Sequence, residues 1–322
     1  MALQLILGPA ASGKTTQLEQ EIKAIAESNP QQTVLYIVPE QTTRKVEQRL
    51  LETVKSGSLL NVAVVSFNRL AHRVVTEVGM PEIKMLDDMG KSMVLYKIVM
   101  DHQKELGYYG ASAGKKGFIG QLTLMITELF QYALDEEALS AFIQEQPSGS
   151  ILRAKLEDIR LIWQYFNAYT EQEMLASEAL LDLLAERIER SRLIREAVIY
   201  IDDFSGFTPQ QYRILTGLAM RSRSLTIAIT LPPAVFKQVE AVQDWRELPR
   251  QTFFTTAKTV WKLLALARQY RLPYQIRWQS QVYLPQEIAH AAWQLQRVKP
   301  LAFDGPARRV RGYAAPTQAQ EL

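Results

Sequence analysis

Residues 8–15 read Gly8-Pro9-Ala10-Ala11-Ser12-Gly13-Lys14-Thr15, with Thr16 directly after. This is the spacing G-x-x-x-x-G-K-[ST] of a phosphate-binding P-loop. The chemistry follows from the residue types. Gly8 and Gly13 let the backbone curl, so that the successive N–H groups after Pro9, those of Ala10, Ala11 and Ser12, can face phosphate oxygens. A helix opening at Lys14 adds its positive end. Lys14 would reach the β- and γ-phosphates, and Thr15 would offer its hydroxyl to Mg²⁺. The implied cofactors are ATP and Mg²⁺. The alternative is a glycine-rich turn that merely starts an ordinary helix.

A second candidate group lies far along the chain. Residues 197–201, Ala-Val-Ile-Tyr-Ile, end at Asp202. A carboxylate at the end of an apolar strand is the usual partner of a P-loop, holding Mg²⁺ through water. Asp203 follows it. A Glu at that place would orient or deprotonate an attacking water. Asp203 is one methylene shorter, so it reads either as a catalytic group of short reach or as a solvated turn residue before Phe204-Ser205-Gly206.

These groups need elements to carry them. Residues 3–7, 33–38 and 61–66 are short apolar runs that alternate with helical patterns at 14–26, 40–54 and Phe67–Val78. All-apolar strands between helices predict a parallel sheet covered on both faces. From about residue 80 to 196 the strands stop. Helical periodicity is expected at 88–104, 118–134, 136–144, 152–168 and 177–188, with a flexible connection at 107–117. This stretch reads as an inserted helical domain. At residue 197 the first pattern resumes, with strands at 197–201, 225–231 and 274–278. Helices are expected at 208–218, 256–270 and 288–295. Thr208, Pro209 and Gln211 spell a helix start with a capping box. The reading is therefore 1–79 and 197–300 as two parts of one α/β domain, 80–196 as the insert, and 301–322 as a connection to a further domain. Residues 308–314 read as a strand and 316–322 as a first helical turn, as in a fragment of a longer polypeptide.

Composition narrows the function classes. The 322 residues suggest about two domains. There is no cysteine, which removes disulfides, thiolate metal sites and cysteine nucleophiles. The three histidines, His72, His102 and His290, are far apart, which argues against a histidine metal centre. No run of about 18 apolar residues exists, and the N-terminus lacks a basic leader, so a soluble cytoplasmic protein with no membrane partner is expected. Lys and Arg number 37 against 34 acidic residues, a net +3. Arg297, Lys299, Arg308, Arg309 and Arg311 against Asp304 and Glu321 account for that whole excess. A uniformly basic nucleic-acid coat is excluded, and a local basic strip is not.

Several segments, in order and spacing, resemble one family. They are GPAASGKTT from Gly8, LYIVPEQ from Leu35, VSFNRLAHRVV from Val65, TLMITELFQYAL from Thr123 and VIYIDDFSGFTPQQYRIL from Val198. Together they resemble the N-terminal part of AddB, one of the two chains of the bacterial ATP-dependent helicase/deoxyribonuclease AddAB, of which RexB is a close relative. The resemblance spans essentially the whole chain. It implies a RecA-like P-loop NTPase domain interrupted by an inserted all-helical domain, in the manner of the 1A and 1B domains of superfamily 1 helicases. It also implies an AddA-like helicase/nuclease chain as heterodimer partner, and broken or single-stranded DNA as substrate in recombinational repair. In such helicases the segment after the third strand touches single-stranded DNA. Phe67, Asn68, Arg69, His72 and Arg73 are the matching residues here, basic groups to track phosphate and an aromatic to stack. The alternative is a solvated amphipathic helix.

Departures from the active-motor pattern point to a motor-impaired nucleotide site. No glutamine motif precedes the P-loop, the D-E pair is Asp202-Asp203, and Thr230 stands where a motor has a γ-phosphate-sensing glutamine. Two other readings stand beside this one. One is a P-loop kinase for a small molecule, with the insert as lid. Arg153, Arg160, Arg187, Arg190 and Arg192 lie in that insert, but form no tight pair in a glycine-flanked loop. The other is a DNA-binding P-loop module that never hydrolyses ATP.

Overall fold

The computed structural model describes residues 3–53, 60–79, 84–113, 115–132, 134–176, 179–279, 284–294, 302–306 and 308. The strand and helical turn expected at 308–322 fall outside the described residues, Arg308 apart.

The chain begins with β1 (Leu3–Gly8), α1 (Lys14–Ser28), β2 (Val34–Ile37), α2 (Thr43–Thr53), β3 (Val62–Val65) and α3 (Phe67–Val78). It continues through β4 (Lys84–Leu86), α4 (Asp88–Asp101), α5 (Lys116–Gln131), α6 (Glu136–Gln144), α7 (Ile151–Glu173) and β5 (Met174–Ala176). Then come α8 (Ala179–Arg187), α9 (Arg192–Glu196), β6 (Val198–Ile201), α10 (Pro209–Arg221) and β7 (Ser224–Thr230). It closes with α11 (Pro233–Ala241), α12 (Phe254–Gln269), β8 (Tyr274–Trp278) and α13 (Gln286–Gln294).

Six strands form one all-parallel sheet in the order β3-β2-β6-β7-β1-β8. The architecture is α/β and consistent with a RecA-like fold. Side-chain alternation divides each strand between two cores. Leu5 and Leu7 of β1, Leu35 and Ile37 of β2, and Ile199 and Ile201 of β6 face the core shared with α3, α8, α10 and α12. Ile6, Val34, Tyr36 and Tyr200 face the opposite core, with Leu18 and Ile22 of α1 and Val46 and Leu50 of α2. Both faces are covered, which is why the strands read as unbroken apolar runs.

A third cluster, separate from both, is built from α4 to α7 and centred on Leu95, Ile126, Ile162 and Phe166. The sequence pattern holds no strand in this stretch. The structure has two, β4 and β5, paired in parallel from Lys84↔Met174 to Leu86↔Ala176. At three residues each they are too short to show a period. The 107–117 connection is also more fixed than its glycines suggest. The buried Asp158 carboxylate accepts from the backbone N–H groups of Gly107, Tyr108 and Tyr109 at 2.9, 2.9 and 2.7 Å. The helices α8 and α9 side with the sheet. Leu180, Leu184 and Ile194 join its core, and Glu77 of α3 accepts from the N–H groups of Arg192 and Leu193 at the start of α9. Among the described residues no helix is long and apolar enough to cross a membrane.

Candidate nucleotide site and basic helix face

The 8–15 loop leaves the carboxyl end of β1 and opens α1. Two backbone features fix its curl. Ala11 and Gly13 have φ of 56° and 82°, in the left-handed region where glycine is favoured. Gly8 has no room for a side chain. A Cβ there would lie 2.2 Å from the Gln279 carbonyl oxygen and 2.6 Å from Ser12 Oγ. The first turn of α1 has no side-chain cap and no acidic residue, so its N–H groups stay open to an anion.

Lys14 is only 8% exposed, and its ammonium is folded onto its own loop. Nζ donates to the carbonyls of Pro9 at 2.7 Å and Gly8 at 3.2 Å, with Ser12 Oγ at 3.5 Å. Burial lowers its pKa from the usual lysine value, and the Asp202 charge opposes that shift. An anion in the loop would favour the charged form.

Two strands away, β6 delivers Asp202, with β7 between it and β1. Thr15 Oγ1 donates to Asp202 Oδ2 at 2.6 Å. The Tyr36 hydroxyl donates to the same oxygen at 3.3 Å, and the Asp203 N–H to Oδ1 at 2.8 Å. Asp202 is 6% exposed. Burial raises its carboxyl above the ordinary aspartate value, against the three hydrogen bonds that lower it. Burial, and then the Asp202 charge, push the Tyr36 phenol far up, which keeps it a donor. Asp203 is exposed, with a left-handed φ of 68°. Thr230 ends β7 directly opposite Gly8.

The donor set fits a small hard cation. It offers one carboxylate and one hydroxyl beside an open anion site, the arrangement by which Mg²⁺ is held with phosphates and water. Among the described residues no group of three or more His, Cys, Asp or Glu is placed to hold a metal unaided. A cavity of ≈ 700 Å³ opens beside the loop, lined by Ala11, Ser12, Gly13, Lys14, Thr15, Thr16, Gln17, Gln20 and Gln279.

Tyr36 and Gln279 join the site without a motif of their own in the sequence. Tyr36 is a polar tip in an apolar strand, a signal that acquires meaning only when β6 is known to lie beside β2. Gln279 reaches the loop because β8 docks on β1 and its N–H donates to the Leu7 carbonyl at 2.8 Å. The Gln279 carboxamide donates to Gln17.

The second group lies on α3, capped by Ser66. Asn68, Arg69, His72 and Arg73 are all exposed on its polar face. Arg69, His72 and Arg73 line a shallow cavity of ≈ 580 Å³ with Glu47 and β3. Arg69 Nε also donates to Glu40 at 3.1 Å, and Ser66 donates to the same carboxylate. Phe67 does not share this surface. It is 4% exposed, its ring edge-on to Phe204 and Phe207 at 5.6 and 6.3 Å. It therefore presents no free face to a base, and the expected stacking role is corrected to a core role.

Similarity to known proteins decides the family. The family described as ADDB, N-terminal, fits residues 5–292. The chain belongs to the AddB N-terminal family. Its relatives include proteins named as the B chain of an ATP-dependent helicase/deoxyribonuclease. That of Geobacillus kaustophilus is 37% identical over 72% of this chain and 20% of its own length. That of Alkaliphilus metalliredigens is 33% identical over 86% and 23%. That of Lachnoclostridium phytofermentans is 32% identical over 83% and 23%. The chain thus spans less than a quarter of the curated AddB-type relatives it matches.

Proposed function

We propose that this chain is the nucleotide-binding, DNA-handling N-terminal part of an AddB-type component of an ATP-dependent helicase/deoxyribonuclease. In this reading it works in the cytoplasm with an AddA-like partner on single-stranded or broken DNA ends, in double-strand break repair and recombination. The observation that carries it is the 2.6 Å hydrogen bond from Thr15 to Asp202, two groups far apart in sequence that meet at the mouth of the 8–15 loop. ATP would lay its phosphates on the open N–H groups of the loop and α1. Lys14 would exchange neutral carbonyl acceptors for charged phosphate oxygens, a stronger hydrogen bond. Thr15 and Asp202 would hold Mg²⁺, which when bound offsets charge on the phosphates.

Hydrolysis by this chain alone is expected to be weak. Asp203 is exposed at the position a water-orienting group would take, and Thr230 lies beside Gly8 where a phosphate-sensing amide is wanted. In this reading the sheet is the RecA-like domain, and the helices from α4 to α7 are an insert that leaves and returns through β4 and β5. Arg69 and Arg73 of α3 would follow the backbone of a single strand.

Equilibrium titration with Mg·ATP tests the reading. Lys14→Ala removes a charge-assisted contact of about 1.5–3 kcal/mol, so affinity should fall roughly 10- to 100-fold. Equal affinity of variant and wild type would contradict it. Steady-state turnover of the isolated chain should stay below about 1 per second, the lower end for complete enzymes.

A further inference from the structure

From residue 248 to residue 286 the sequence contains Arg250, Lys258, Lys262, Arg268, Arg271 and Arg277, and no aspartate or glutamate. The near-neutral total charge conceals this stretch. The fold gathers part of it on one surface. Lys258 and Lys262 are one turn apart on α12 and share a face. The Lys258 ammonium lies 4.1 Å from the centre of the Trp245 ring. That of Lys262 lies 5.7 Å from Trp245 and 4.9 Å from Tyr212. Arg250 covers Phe254 at 4.7 Å. Among the described residues, none of Arg250, Lys258 and Lys262 has a carboxylate within ion-pair distance, whereas the neighbouring Arg246 has Asp244 at 3.7 Å.

Like charges one turn apart destabilise a helix. Burial first, and the Lys258 charge second, lower the Lys262 pKa. An anion lying across both ammoniums would remove that strain. The ring faces are already covered by the protein's own cations, so what this surface offers a partner is positive charge more than stacking. Its position suggests which polyanion. Ring contacts run from Phe67 at the start of α3 to Phe207 at 6.3 Å, and from Phe207 to Tyr212 at 5.8 Å. Thr259 of α12 donates to the Ser205 carbonyl at 3.1 Å, in the turn that follows Asp202. A chain of aromatic contacts therefore links the buried face of α3, at Phe67, to the cationic face of α12. The two lysines stand about 6 Å apart along the helix axis.

We propose that Arg250, Lys258 and Lys262, arrayed on Phe254, Trp245 and Tyr212, form a second seat for the phosphate backbone of a single-stranded nucleic acid, beyond Arg69 and Arg73. This rests on the DNA-handling reading above and extends it to a surface of its own.

The test is a salt series of oligothymidylate binding to the whole chain, followed by fluorescence anisotropy. Lys258→Gln with Lys262→Gln should lower the slope of log affinity against log salt by about 1.4, or about 0.7 for each lost phosphate contact. Lys258→Arg with Lys262→Arg should keep it. The emission change of Trp245 on binding should vanish in Trp245→Phe. Polyglutamate should compete far less well than oligothymidylate. If it competes equally, the surface takes an acidic protein and the proposal is overturned. If wild type binds and only Arg69→Ala with Arg73→Ala changes the slope, this seat is wrong while the α3 reading stands. If wild type binds no oligonucleotide, both fail.

Discussion

The 8–15 loop and the polar face of α3 both offer positive charge, on the same sheet, and they are built in opposite ways. In the loop the cation is buried, its acceptors are named backbone carbonyls, and its carboxylate counterpart is held by three donors. On α3 the arginines are exposed, and Arg69 has a single surface ion pair with Glu40. Such a pair contributes on the order of 0–1 kcal/mol. A preorganised buried site is sensitive to single atoms. An exposed strip is sensitive to salt and to the number of charges.

The sharpest way to break this comparison lies on α3 itself, whose two faces should respond differently. Phe67→Ala removes a buried ring and should destabilise the fold by about 3–5 kcal/mol. Arg73→Ala, on the exposed side, should stay within about 0.5 kcal/mol. Chemical denaturation measures both, and a mild effect at Phe67 would put its ring back on the surface. The helical region offers an intermediate case. Asp158→Ala strips three backbone N–H groups of their acceptor and should cost about 1–3 kcal/mol. Hydrogen exchange of Gly107, Tyr108 and Tyr109 should accelerate with it, and unchanged exchange would mean that the loop is held by something else. The smallest effect is expected for Arg69→Ala with Arg73→Ala. It should leave Mg·ATP affinity alone and flatten the salt dependence of single-strand binding by about 1.4. A changed ATP affinity would show that the two regions are not independent.

Much of this architecture is legible in the sequence because local signals agree. The bounds of α3 follow from the helical spacing of its apolar residues, and the start of α10 from the Thr208–Gln211 capping box. The strands are legible because burial on both faces leaves no polar interruption. What escapes depends mostly on distance along the chain. The helix α11 is the local exception: two prolines precede a short apolar stretch and mask it, although proline suits a helix start. The order of the 107–117 loop depends on Asp158, about 50 residues away. Tyr36 and Gln279 join the candidate nucleotide site through strand order, which no local pattern encodes. Phe67 falls on the apolar side of the 67–78 periodicity, and its stacking role came from the resemblance alone; the rings that pack on it, Phe204 and Phe207, come from the far side of the helical excursion.

At the centre of the proposed nucleotide site, Thr15 and Asp202 are expected to act together on one metal ion beside one phosphate chain. A double-mutant cycle on Mg·ATP affinity, with Thr15→Ala, Asp202→Asn and the pair, tests this most directly. The predicted result is a coupling of about 0.5–3 kcal/mol, the range for groups that share a partner, disappearing when ATP is titrated with Mg²⁺ chelated. Additivity within about 0.5 kcal/mol in the presence of Mg²⁺ would contradict it, because groups that do not share a partner add in that way.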